Sequence, residues 1–311
     1  MVYSAKSDVA GTISQFTRRK NITINTNGTS TPSLYQIKLA IAYEPQMQAS
    51  FQDIRFNTRG NVYIDYWIES FTASSTATVW LELPNAITDP GSDSIWMYYG
   101  NAAVSDGGSI GNTFDFGDDY TGVTIDVTKW AVVGTNNYIT QNNELIISNG
   151  TNIWGETGLY SVGSFNRSFI YQTKFKNIVS PNICIGVKDA DTGVSYANFV
   201  YGVFPIDIGM RIYEDATERG TIAPGFATDT YYWLKIEVFA TGAKYYSSTN
   251  NIDWSLRYTS AYSTETPLKI GAGAYDAGII LDNTFIRKYI AIEPTATLGT
   301  AQHQRRIPTF L

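Results

Sequence analysis

The residues able to do chemistry in this chain are few in type. One histidine, His303, and one cysteine, Cys184, stand among 311 residues. Tetrahedral zinc sites draw several ligands from those two types, so a zinc centre within one chain is nearly excluded. A lone cysteine closes no intrachain disulfide. A Ser-His-Asp triad would have to use His303, which reads instead as a solvated residue of a C-terminal tail. Glycoside hydrolysis needs two carboxylates about 5–10 Å apart across the scissile bond. The local acidic cluster is Glu214, Asp215 and Glu218, but Arg219-Gly220 follows it, and a solvated strand end or turn is the expectation. Asp189 and Asp191 have the alternate spacing of a calcium loop. Gly193 stands where the third oxygen ligand belongs, so this stretch reads as turn chemistry between two strands.

Sugar recognition uses flat aromatic faces rimmed by amides and carboxylates, because the C–H faces of sugars stack on rings. Trp154, Tyr160, Tyr196, Tyr201 and Trp254 lie near Asn, Asp and Ser residues and are the candidate glycan contacts. Trp154 and Trp254 each follow a turn-forming stretch. Trp67, Trp80, Trp96, Trp130 and Trp233 fall in regular runs, and core packing is expected of them. The 22 tyrosines would also suit a protein–protein interface.

The elements that must position these residues are strands. Turn signals are spread evenly, as at Asn27-Gly28, Asp89-Pro90-Gly91, Asn149-Gly150 and Asn250-Asn251. Between them run short stretches rich in Thr, Val, Ile and Tyr, the signature of an all-β sandwich or barrel. Alternation of period two is plain in 19–25, 78–83 and 233–238. No helical period extends beyond two turns. Length predicts about two domains. A Gly/Ser/Ala-rich linker at 101–113 divides a domain over 16–100 from one over 114–299, with an arm at 1–15 and a tail at 300–311.

The net charge of −6 gives no basic field for nucleic acid or an anionic membrane. Arg18-Arg19-Lys20 and Arg305-Arg306 are too short to change that. No apolar stretch is long enough for a membrane-spanning helix, and residues 1–11 have no secretory-signal pattern. Asn21, Asn27, Asn149 and Asn166 open glycosylation sequons.

The first block reads Phe16-Thr-Arg-Arg-Lys-Asn-Ile-Thr-Ile24, Tyr35-Gln-Ile-Lys-Leu39, Asp53-Ile-Arg-Phe56, Asp65-Tyr-Trp-Ile-Glu69, Ala77-Thr-Val-Trp-Leu-Glu-Leu-Pro84 and Ile95-Trp-Met-Tyr-Tyr-Gly-Asn101. This order resembles a β-domain family of unknown function, domain of unknown function 2341, found in archaeal and bacterial surface proteins. Phe16 fills the place of that family's usual Trp. The second block opens Phe114-Asp-Phe-Gly-Asp-Asp-Tyr120 and Ile125-Asp-Val-Thr-Lys-Trp130, and closes Leu281-Asp-Asn-Thr-Phe-Ile-Arg-Lys-Tyr289 and Glu293-Pro-Thr-Ala-Thr-Leu-Gly299. It resembles the concanavalin-like lectin/glucanase sandwich. The resemblance implies two β-sandwich domains, the second a concanavalin-like jelly roll, presented on a cell or particle surface. It also implies a structural Ca²⁺ between the first and last strands, with Asp118, Asp119 and Asp282 as ligands. The glucanases of that superfamily carry Glu-x-Asp-x-Glu on one strand, and no Glu of this chain has Asp two residues on.

The expected function is therefore a non-catalytic surface or virion protein that contacts glycans through the second domain. It would assemble as a symmetric oligomer, its arms docking by strand addition. Two alternatives stand beside it. One is a purely structural virion, capsid-decoration or filament subunit. The other is a glycoside hydrolase with a non-standard carboxylate pair.

Overall fold

The structure is a computed structural model that describes residues 13–134, 137–179, 182–264 and 266–304. Its regular secondary structure is almost all antiparallel strand. In chain order these are β1 (Arg18–Asn25), β2 (Tyr35–Ala42), β3 (Arg55–Thr58), β4 (Tyr66–Thr72), β5 (Thr76–Leu83), β6 (Ser92–Tyr99), β7 (Phe116–Asp118), β8 (Trp130–Val133), β9 (Ile139–Gln141), β10 (Leu145–Ile147) and β11 (Thr157–Ser161). They continue with β12 (Phe169–Val179), β13 (Ile183–Lys188), β14 (Phe199–Ile206), β15 (Gly209–Glu214), β16 (Thr217–Ile222), β17 (Tyr231–Phe239), β18 (Gly242–Ser248), β19 (Ser255–Ser260), β20 (Lys269–Ala274), β21 (Gly278–Lys288) and β22 (Thr295–His303).

The chain forms two compact units, residues 1–115 with 290–311, and residues 116–289. In the first unit a sheet of order β22-β1-β6-β3 and a sheet of order β2-β5-β4 share one core. Alternation decides which side chains fill it. Ile22 and Ile24 of β1, Ile95 and Met97 of β6, and Leu39 and Ile41 of β2 all point inward and are buried. Each such side chain contributes about 1.5–3 kcal/mol relative to exposure.

In the second unit, among the described residues, one sheet has the order β19-β18-β17-β12-β21-β10-β9, with β7 also paired to β21. The other has the order β16-β15-β14-β13-β20-β11-β8. Leu234, Ile236 and Val238 of β17 meet Ile183, Ile185 and Val187 of β13 in the core between them. Two antiparallel sheets across one core are the expected jelly-roll sandwich, and the fold class is all-β.

Three boundaries differ from expectation. Residues 295–299 do not close the second sandwich. They belong to β22, which pairs with β1 from Arg18↔His303 to Asn25↔Thr295 and so completes the first unit. His303 is accordingly a strand residue. Residues 101–113 do not hang free as a linker. Gln48 Nε2 donates to the carbonyls of Asn101 and Val104, Arg55 Nη2 donates to Ser105 O at 2.6 Å, and Ile110–Thr113 form one helical turn with Ile110 buried. These backbone groups find side-chain donors within the first unit, which fixes a glycine-rich stretch that composition alone leaves mobile. Most of the arm expected at 1–15, and the Arg305-Arg306 pair, lie outside the described residues. Ile13–Gln15 form a single 3-10 turn.

Candidate functional site

The outer face of the β19–β9 sheet is built by the phase of β17. Leu234, Ile236 and Val238 are buried, so Tyr231, Trp233, Lys235 and Glu237 share the opposite side and stay half-exposed. Strand register sets Lys174 beside Trp233 and Lys176 beside Tyr231 from β12, and Tyr246 beside Lys235 and Lys244 beside Glu237 from β18. The turn after β18 adds Trp254.

These side chains hold one another in bonded groups on that face. Lys235 Nζ sits 4.3 Å from the Tyr246 ring centroid and 5.1 Å from that of Trp254, and 2.9 Å from Glu237. Tyr246 Oη donates to Glu237 at 3.1 Å. Lys174 Nζ lies 4.2 Å from the Tyr231 centroid and 5.8 Å from that of Trp233, and 2.9 Å from Asp282. Tyr231 Oη donates to Glu144. Gln172 Nε2 donates to Asn251 Oδ1 at 2.9 Å. Burial raises the Asp282 carboxyl above its usual range. The Lys174 ammonium opposes that rise and the nearby Glu144 charge adds to it. Burial and the Glu237 charge hold the Tyr246 hydroxyl well above its ordinary value. The layer therefore presents flat rings with fixed donors and acceptors between them.

The five aromatic residues singled out in the sequence separate in space. Trp254 joins this layer. Trp154 and Tyr196 meet on the outer face of the other sheet, where the Trp154 ring lies 5.3 Å from Tyr196, 5.5 Å from Phe204 and 5.8 Å from Tyr275. Tyr160 lies on that same sheet between two ammonium groups, 5.3 Å from Lys188 and 5.1 Å from Lys269. Tyr201 is fully buried between the sheets. Its hydroxyl accepts from Arg167 and donates to Tyr262 O at 2.7 Å, so it supports the core and reaches no surface ligand. Trp233 and Trp96, expected in the core, are half-exposed on outer faces. Trp67, Trp80 and Trp130 are buried as expected.

The loop of residues 189–198 lies over part of the second outer face. A Cβ on Gly273 would come 1.8 Å from Val194 O, and one on Gly158 would come 2.9 Å from Val194 Cγ2. Lys188, fully buried, pins this loop by donating to Asp189 O, Asp189 Oδ1 and Asp191 O. Asp189 and Asp191 thus serve a lysine.

The implied calcium set does not fit the metal. β7 does pair with β21, placing Asp118 opposite Thr284. Asp118, however, accepts from Trp130 Nε1 at 2.7 Å and from Tyr120 N at 3.1 Å, and lies 3.4 Å from Lys129 Nζ. Asp119 accepts from Thr121 N, and Asp282 holds Lys174. Among the described residues no three His, Cys, Asp or Glu side chains are grouped to hold a metal ion. The Glu214 cluster is a hairpin turn with Asp215 and Ala216 at positive φ. Glu214 is buried against Arg219, at 2.9 Å, and Tyr245.

The sequence profile of a family described as "Domain of unknown function (DUF2341)" matches residues 50–133. No curated protein sequence matches the chain. Among solved structures the chain resembles a β-glucanase of Bacillus licheniformis at TM-score 0.41 and 10% identity, over 56% of this chain and 97% of that one. A β-1,3-glucanase from Mycobacterium marinum is similar at TM-score 0.36 and 10% identity, over 56% and 98%. The Ca²⁺-bound exoplasmic/lumenal domain of VIP36 is similar at TM-score 0.43 and 11% identity, over 58% and 94%. Likenesses this distant assign no ligand and no reaction.

Proposed function

We propose that the second unit binds a polysaccharide on the outer face of its β19–β9 sheet and does not cleave it. The observation that supports this reading is the half-exposed row of Tyr231, Trp233, Tyr246 and Trp254, interleaved with charged groups already bonded to one another. Sugar rings stack on such faces, while Glu237, Asp282 and the lysines meet hydroxyl groups. Because the side chains are held by each other, little rotamer entropy is lost on binding. Cleavage needs a proton donor and a free base or nucleophile. Here Glu237 and Asp282 each hold a lysine ammonium, and Glu144 holds the Tyr231 hydroxyl. Trp154 and Tyr196 form a second, smaller aromatic surface on the opposite face. The reading includes placement on a cell surface or virion and assembly as a homo-oligomer, and it needs no metal.

The test is affinity electrophoresis of the full chain in gels containing neutral β-glucan, xylan or mannan, with reducing-end release assayed in parallel. Retardation by at least one polysaccharide, lost in Trp233→Ala and kept in Trp154→Ala, supports the reading. Release of reducing ends that stops in Asp282→Asn or Glu237→Gln overturns its non-catalytic part. No retardation by any of them overturns the binding itself.

One observation favours the purely structural alternative. β22 is a nine-residue edge strand without a charged residue or proline, Thr-Ala-Thr-Leu-Gly-Thr-Ala-Gln-His, and mostly exposed. Edges of this kind invite strand pairing between subunits. Light scattering that gives a strict monomer at high concentration would remove that alternative and the oligomer together.

A further inference from the structure

The outer face of the first unit's four-stranded sheet carries two cations on one ring. Arg19 and Arg59 each hold the guanidinium carbon 4.1 Å from the Trp96 ring centroid. Arg59 Nη2 donates to Asn21 Oδ1 at 2.6 Å, and Asn21 Nδ2 donates to Thr23 Oγ1 at 2.9 Å. Register sets Asn21 opposite Trp96, Thr23 opposite Ser94, and Asn57 on the far side of Trp96. The residues of β1, β3 and β6 in this phase include no carboxylate, and β22 contains none at all. That runs against a composition of 28 acidic to 22 basic residues.

Neither guanidinium is neutralised. Among the described residues no carboxylate forms an ion pair with Arg19 or Arg59. Arg19 Nε is buried without a hydrogen-bond partner. Burial raises the Tyr98 hydroxyl above its ordinary value, and the Arg19 and Arg59 charges oppose that rise. A guanidinium held over an indole ring still has N–H groups with which to bond a ligand. Two pre-oriented forks beside hydroxyl and amide groups suit a planar or tetrahedral oxyanion.

We infer that this face binds a polysaccharide bearing sulfate or uronate groups, Arg19 and Arg59 taking the oxyanion and Asn21, Thr23 and Ser94 the neighbouring hydroxyls. A protein partner would seat aromatic or arginine anchors in desolvated pockets, and here the one outward indole is already covered by both arginines, with Asn, Thr and Ser around it. A single-stranded nucleic acid would need that ring for base stacking. The site is independent of the second unit's sugar-binding face.

The experiment is affinity electrophoresis of the full chain with dextran sulfate, polygalacturonate, neutral dextran and poly-glutamate, each over a salt series. Retardation by dextran sulfate or polygalacturonate that weakens with salt, with none by neutral dextran, is expected. Whichever polyanion acts names the oxyanion. Arg59→Gln should weaken binding about tenfold with unchanged thermal unfolding, and Arg19→Gln at least as much. Trp233→Ala should leave it intact, which separates this site from the other. Wild-type affinity in both arginine variants overturns the proposal. So does equal binding of poly-glutamate, or no retardation by either polysaccharide.

Discussion

The indole N–H of Trp130 donates to the Asp118 carboxylate at 2.7 Å, and both residues are buried where β7 begins the second unit. A carboxylate in the ligand position expected for calcium is thus engaged by an indole, a backbone N–H and a lysine. Asp118→Ala should cost about 2–4 kcal/mol, because it strips the buried Trp130 donor of its acceptor. EDTA should leave the melting temperature unchanged. A drop on chelation, restored by Ca²⁺, would show that this carboxylate set serves a metal after all.

The two aromatic surfaces of the second unit should respond differently to truncation. Trp233→Ala removes a half-exposed ring on the outward phase of β17 and should weaken polysaccharide binding tenfold or more with little change in stability. Trp154→Ala should instead lower stability, since that ring packs on Phe204, Tyr196 and Tyr275. Isothermal titration and thermal melts on both variants separate the two effects.

Lys188→Met keeps the length of a fully buried side chain but removes the donor shared by the Asp189 and Asp191 carbonyls. About 2 kcal/mol of stability should be lost. Protease nicking within 189–198 should appear, with sugar binding at Trp233 unaffected. Unchanged protease resistance would mean that Val194 alone holds the loop.

Burial raises the hydroxyl pKa of Tyr120, Tyr171 and Tyr245 above the ordinary 10.0. The folded state then binds more protons than the unfolded chain once the pH passes about 10. Their contribution to stability is fully present below that pH and is lost as the pH rises towards their raised values. Tyrosinate absorbance should therefore rise in two stages, the second coinciding with unfolding. A single stage near the ordinary value, with the fold intact, would contradict the burial of these rings.

Removing residues 290–311 deletes β22 and uncovers the outer edge of β1. The first unit should lose its cooperative melt, while residues 116–289 keep theirs. Differential scanning calorimetry of the truncated and full chains decides this, and two retained transitions would mean that β22 is dispensable.

Much of this was legible in alternation. In Tyr231-Tyr-Trp-Leu-Lys-Ile-Glu-Val238 the aliphatic phase is 234, 236, 238, which puts Trp233 on the side of Lys235 and Glu237. Assigning Trp233 to the core overlooked that phase, and the same holds for Trp96 beside Ser94. Tyr201 gave no such clue. It lies in a strand buried on both sides, where alternation vanishes. The pairing of β22 with β1 spans most of the chain, and no local pattern reports it. The packing of 101–113 depended on Gln48 and Arg55, distant donors that composition does not reveal.

The pairing of β1 with β22 also sets an order of events on the ribosome. β1 to β6 emerge first but lack the strand that completes their sheet. All of residues 116–289 must be synthesised before β22 appears. The second sandwich has every one of its strands by residue 289 and can fold while the first still waits, with β1 exposed as an open edge. At translation speeds of about 5–20 residues per second, that wait lasts roughly ten seconds or more. During it, a neighbouring nascent chain offers the same edge, so the first unit is where crowded synthesis would produce strand-swapped pairs.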